Sequence, residues 1–364
     1  MNSMPKTSIR SNRLWAIPIA ALVASGACST EKKESDAPTD SASICIPGGT
    51  PKTMPESARE YVQMCEPELG VPPEFDCAQG VTIPITINGV ETNEIQPTFG
   101  CDNYSLQEGE CVPGSTVNRI TGINRDGSER PEVVWVQFCR SEAGLDSGGE
   151  IQWTYAGAQM IGYNYDSGAT CYFELKIPGQ TEFVQHDQNL NITSNLPGYD
   201  TPEFDQAFLP APMQCVQCHQ NEPFVHNPWI DSARLPSNPN ESVLPILAPD
   251  APYYVVGGSN WDMRTIHIDG NACLECHRIG METDMLYRYN GFDANQWMPA
   301  HDPGSLSDAY QELLDCWENG PENTPGCIWW YPPGGDCEGR EAGLDFPFAA
   351  EQFNFPRDSF YGFD

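Results

Sequence analysis

Positive charge is what this chain has least of. Its 364 residues carry 18 Lys and Arg against 51 Asp and Glu, a formal net charge of −33. Without a basic footprint it is a poor ligand for nucleic acid, and an anionic membrane surface repels it. Long apolar runs are missing too. Residues 14–24 (LWAIPIAALVA) are too few to cross a bilayer core, and no later stretch comes near the length required. Sequence free of helix breakers is also scarce. The 33 Pro and 32 Gly predict a loop-rich fold, in which covalent cross-links supply part of the cohesion that long helices otherwise give.

The short apolar run has another use. Lys6, Arg10 and Arg13 precede it and Ser25-Gly26-Ala27 follow it, the n-region, h-region and small-residue cleavage site of a secretory signal peptide over residues 1–27. Ser25-Gly26-Ala27-Cys28 resembles the lipobox of bacterial lipoproteins, with Ser25 where that motif prefers leucine. The resemblance implies a lipid on Cys28 as the chain's sole membrane attachment, with residues 28–44, polar and without apolar periodicity, as a flexible tether.

Cysteine is plentiful, with 15 in all. Four of them fall in one short word written twice, Cys215-Val-Gln-Cys218-His219 and Cys273-Leu-Glu-Cys276-His277. Two cysteines at this spacing can form thioethers to the two vinyl groups of one haem, and the adjacent histidine can reach the iron. A redox dithiol has no use for that histidine. Structural zinc needs four ligands closing a tetrahedron. The expectation is two haem c groups, with Cys215, Cys218, Cys273 and Cys276 as attachment residues and His219 and His277 as proximal ligands. Setting aside those four and Cys28 leaves ten cysteines, an even number that suggests up to five disulfides in an oxidising compartment.

Residues 45–200 have the pattern of a β domain. Val81-Thr-Ile-Pro-Ile-Thr-Ile87 alternates apolar and polar residues and ends at Asn88-Gly89, a two-residue hairpin signal. Pro84 within it marks an edge or bulge. Residues 133–138, 151–165, 171–177 and 181–192 continue the series, predicting a disulfide-rich β-sandwich or barrel. Seven of the ten spare cysteines lie here (Cys45, Cys65, Cys77, Cys101, Cys111, Cys139, Cys171) and three in the tail (Cys316, Cys327, Cys337). Both counts are odd, so complete pairing requires a bridge from the tail to the β region.

Residues 201–304 hold both words and five of the six histidines. A helix is expected over 278–289, ending at Asn290-Gly291, while Pro223 and Pro228 restrict the first word to one turn. In the tail, 305–364, Leu306, Tyr310, Leu313, Leu314 and Trp317 fall on one helical face that ends at Asn319-Gly320. The fold class expected is therefore α+β, a β domain followed by a small, loop-rich, mainly helical dihaem domain and a disulfide-held cap.

The sixth ligand of each iron separates a carrier from a catalyst. Met281 and Met285 follow His277 on its own expected helix and so lie on the proximal side. Met298, 21 residues beyond His277 and held extended by Pro299, is the better placed ligand of the second haem, and His301 is its rival. Trp297 is expected to pack near the porphyrin. For the first haem, His226 is only seven residues beyond His219, a span of roughly 23 Å at full extension. His267 precedes Cys273 by six. The sequence does not separate His226 from His267 or from an open site.

The chain resembles dihaem or multihaem c-type cytochromes of Gram-negative periplasm and outer membrane, over about residues 201–304 only. Met298-Pro299 is similar to the distal loop of small monohaem cytochromes c. Cys215 and Cys273 are 58 residues apart, fewer than a self-contained monohaem domain usually takes, so the two haems should share one domain. The resemblance implies an exported electron carrier, with the β domain as a docking or scaffold module, and the acidic charge favours attraction to a basic redox partner protein. The alternatives are a dihaem enzyme such as a peroxidase, or a β-domain binding module for which the haems are an electron entry.

Overall fold

The computed structural model describes residues 55–343 apart from 106–108, 110, 146–150, 177–195, 210–214, 216–218, 220, 258–264, 277, 281–292, 297, 300–301, 322 and 335–340. The signal peptide, Cys28, the tether and Cys45 lie outside the described residues.

Helix α1 (Ala58–Leu69) opens the body. The Ser57 hydroxyl accepts from Glu60 N at its start, and Gly70, at a φ of 68° that an L side chain rarely adopts, ends it. Next come β1 (Val81–Thr82), β2 (Ile85–Ile87), β3 (Val90–Thr92), β4 (Thr116–Ile123), β5 (Glu129–Leu145), β6 (Ile151–Asn164) and β7 (Ala169–Glu174). The single strand expected over 81–87, with an edge or bulge at Pro84, is instead two strands on either side of it: β1 pairs with β4 and β2 pairs with β3. Asn88 (φ 52°) and Gly89 (φ 75°) close the β2–β3 hairpin, and the Asp102 carboxylate accepts from both of their N–H groups at 2.9 and 2.8 Å.

After β7 come the short helix α2 (Pro202–Ala207), the hairpin β8 (Arg234–Leu235) and β9 (Asn238–Ser242), then β10 (Tyr254–Val255). The principal sheet has the order β1-β4-β5-β6-β7-β10, antiparallel except for the parallel β7–β10 pair. Its central strand explains the unbroken apolar run at 133–136. Val133 and Trp135 face one core with Tyr61, Cys65 and Leu69 of α1. Val134 and Val136 face a second core with Phe224, Trp229, Val243 and Leu244. A strand buried on both faces has no need to alternate.

That arrangement corrects the expected architecture. The principal sheet is open, covered by helices on one face and by the irregular segment around 221–247 on the other. It is neither a sandwich nor a barrel. The segment carrying the two words is not mainly helical either. The described residues hold three helices, two of them longer than a single turn or two, and the remainder is sheet, 3₁₀ turns and loop. Pro223, Pro228, Pro236, Pro239, Pro245 and Pro249 are too closely spaced for a helix of several turns to form. The helix expected from residue 278 is absent at its start, where Ile279 and Gly280 form a strand; the rest of it lies outside the described residues.

A second sheet joins the later segments. β11 (Thr265–Ile268), β12 (Ile279–Gly280), β13 (Cys327–Trp330) and β14 (Glu341–Gly343) run in the order β12-β11-β13-β14, with Ile266 opposite Trp329 and His267 opposite Ile328. Helix α3 (Ser307–Asn319) lies against it, burying Leu313 and Cys316 beside Ile266 and Trp329, and ends at Gly320 as the sequence predicts.

Four disulfides are described: Cys65–Cys171, Cys77–Cys139, Cys101–Cys111 and Cys316–Cys327. The first ties α1 to β7 across 106 residues, a closure worth on the order of 4–5 kcal/mol in the chain-entropy account. Several disulfides fit an oxidising, extracytoplasmic environment. Among the described residues no helix is long and apolar enough to cross a membrane.

Candidate functional site

Of the first Cys-x-x-Cys-His word the described residues are Cys215 and His219, and His219 N donates to Cys215 O at 2.9 Å. Cys215 is half-buried against Tyr172 of β7 and Tyr253 and Val255 at β10. Tyr172 lies beside the imidazole, ring centroids 5.2 Å apart. The Tyr253 hydroxyl donates to the His219 carbonyl. The Tyr172–Tyr253 hydroxyl contact of 2.7 Å therefore has Tyr172 as its donor, since the Tyr253 proton is already placed. Burial pushes both phenols above their ordinary pKa, so the pair is neutral.

His219 itself is half-exposed as a residue, yet its Nδ1 is fully shielded and has no hydrogen-bond partner. Burial pulls the imidazole down to about 4, against the opposing influence of the Pro223 and Glu222 backbone. A neutral imidazole keeps one nitrogen lone pair available to a metal. Two residues on, the buried Asn221 side chain has a second unmatched atom, Nδ2. Unmatched buried polar atoms are costly and usually have a cause.

The second word is built on a 3₁₀ turn, Ala272–Glu275, with Cys273 half-buried and Cys276 exposed. Asn271 sets its position. Its Oδ1 accepts from Cys273 N at 3.0 Å, and its Nδ2 donates to Ala309 O at 2.8 Å and to Glu312 Oε2 at 3.0 Å on α3. Cys218 and His277 lie outside the described residues.

Arg278, directly after His277, brings the two words together. Its backbone N donates to Glu222 Oε1 at 2.8 Å, and Nε donates to Asn221 O at 2.9 Å. Nη1 reaches the carbonyls of Pro249 and Ala251. Arg278 is 6% exposed. Burial draws its pKa down, opposed by the Glu222 carboxylate. The residues just past one word are thus hydrogen-bonded to the residue just past the other.

The histidines without an assigned role differ from one another. His226 is held on both sides, Nδ1 on Asp231 Oδ1 at 2.8 Å and Nε2 on Pro245 O at 3.1 Å. Both partners accept, so both nitrogens carry protons. Burial lowers this pKa, but the Asp231 carboxylate, the Pro245 carbonyl and the Glu222 charge together outweigh it and the net shift is upward. In this arrangement both ring nitrogens of His226 are engaged with acceptors. His267 sits on β11 with its ring tilted on Trp330, centroids 5.9 Å apart. Met298 is half-buried after a 3₁₀ turn at Ala294–Gln296, its N donating to Ala294 O at 2.9 Å and its peptide to Pro299 cis. His301 and Trp297 lie outside the described residues.

Several of these roles had no advance signal. Tyr172 and Tyr253 look in sequence like any strand tyrosines. Asn271 could have been found as a capping residue two positions before Cys273. Arg278 could have been noticed as one of few cations in the chain, placed beside a word. A cavity of about 520 Å³ opens at the start of α1, lined by Arg59, Gln63, Arg125 and Tyr199 among others, and none of its lining residues belongs to either word.

No family model, curated protein or solved structure matches this chain.

Proposed function

We propose that the chain is an exported electron-transfer protein carrying two covalently bound c-type haems. The observation that carries this reading is the duplicated Cys-x-x-Cys-His word, with the residue after the second copy hydrogen-bonded to the residues after the first. Cys215 and Cys218 would hold one porphyrin, Cys273 and Cys276 the other, with His219 and His277 as proximal ligands. Two features of the described residues of the first word support this reading. His219 is neutral with its Nδ1 unmatched, and the Tyr172 ring beside it offers an apolar wall. When bound, the haems supply reversible one-electron chemistry.

The chain's own residues do the rest. Tyr253 fixes the His219 backbone through its carbonyl, and Asn271 fixes Cys273 to α3. His226 is unsuited as a distal ligand, which leaves His267 or an open site for the first iron. Met298, with His301 as its rival, closes the second. The reading does not require the mainly helical domain that the structure replaces with sheet and loop. The four disulfides support an oxidising location. Residues 1–27 would direct export, and Cys28 would carry the lipid that holds the chain at the periplasmic or outer-membrane surface. The acidic charge suits a basic redox partner.

The test is the optical spectrum of the purified full-length protein with and without cyanide. A carrier gives low-spin spectra that cyanide leaves unchanged. A high-spin haem that binds cyanide or reacts with peroxide would instead favour an enzyme.

A further inference from the structure

The buried Arg278 and the half-buried Glu222 form a junction between the residues that follow the two words. The Arg278 backbone N donates to Glu222 Oε1 at 2.8 Å, and its guanidinium donates to the carbonyls of Asn221, Pro249 and Ala251. Arg278 is 6% exposed and Asn221 3%. Glu222 is three residues beyond His219, and Arg278 is one beyond His277. The Arg278 charge, buried there, is weakly screened by solvent and salt. Exposed carboxylates elsewhere, however numerous, act through high dielectric and are damped by salt.

Resting on the haem reading above, we propose that Glu222 and Arg278 form one electrostatic and positioning element shared by the two haem sites, so that its charges set both midpoint potentials together. The sign is fixed by charge. A ferric haem carries one more positive charge than a ferrous one, so a nearby anion favours the ferric state and a nearby cation the ferrous state. Glu222→Gln keeps an oxygen for the Arg278 N–H and removes the negative charge. Arg278→Gln removes the positive charge. Arg278→Lys keeps the charge and loses the planar, multidentate grip.

The experiment is a spectroelectrochemical titration of the full-length holoprotein and these variants. In Glu222→Gln both haems should become easier to reduce, by roughly threefold or more in the reduction equilibrium, ~28 mV at 59 mV per tenfold for one electron. In Arg278→Gln both should become harder to reduce by a similar factor. Arg278→Lys should keep both potentials within that limit while its thermal midpoint falls. A shift confined to one haem, shifts of the same sign in Glu222→Gln and Arg278→Gln, or no shift in Glu222→Gln would overturn the shared element. If Arg278→Gln does not fold, the near-isosteric Glu222→Gln decides the question alone. Failure of the haem reading is seen earlier and separately, as wild-type protein without two covalent haems.

Discussion

At the scale of single residues, His226 and His219 have opposite chemistry although seven positions separate them. His219 is shielded, neutral and unmatched at Nδ1, whereas His226 lies between a carboxylate and a carbonyl and holds two protons. The second arrangement has a consequence for stability. Its folded pKa is raised above the unfolded value of about 6.5. The Asp231–His226 contact therefore contributes fully below about pH 6.5, and that contribution is lost as pH rises through the folded value. Replacing His226 by Gln should lower the thermal midpoint most at pH 6 and progressively less above it. A difference between the two proteins that stays constant across this window would show that His226 does not titrate as described.

At the scale of elements, what was legible in the sequence was what local chemistry decides. Asn88-Gly89 supplies the positive φ values of a tight hairpin, and the apolar stripe of α3 with Gly320 after it defines that helix. The architecture was not legible, because it depends on pairing between distant segments. Nothing local indicates that β10 joins the edge of the principal sheet, or that β13 of the tail pairs with β11. Val133 to Val136 could not reveal whether a second sheet or a proline-rich loop covers their other face. The candidate site divides the same way. Both Cys-x-x-Cys-His words were visible by spacing, while Tyr172, Tyr253 and Arg278 act through folds of the chain that bring residues from far apart together. Asn271 joins the local and distant parts, capping the turn of Cys273 and bonding α3. Substituting it by Ala should cost about 1–2 kcal/mol, the loss of a cap together with its buried hydrogen bonds. Urea unfolding of the variant measures this, and an unchanged midpoint would mean that α3 does not hold the second word.

At the scale of the whole molecule, cysteine pairing constrains how the parts are tied. The described bridges use six of the seven spare cysteines of the β region and two of the three in the tail. Cys45 and Cys337 remain, so completing five bridges requires those two to pair. Non-reducing peptide mapping should recover a Cys45–Cys337 peptide. Free thiols at both positions would show that no disulfide joins the tail to the β region. The central claim, that one sheet-rich body carries two covalent haems, has a more direct test in the intact mass of the full-length protein after denaturation and acid extraction. The account predicts a polypeptide whose mass exceeds that of the processed chain by two haems, and in which Cys215→Ala/Cys218→Ala and Cys273→Ala/Cys276→Ala double variants each lose one. A wild-type mass with one haem or none would contradict it.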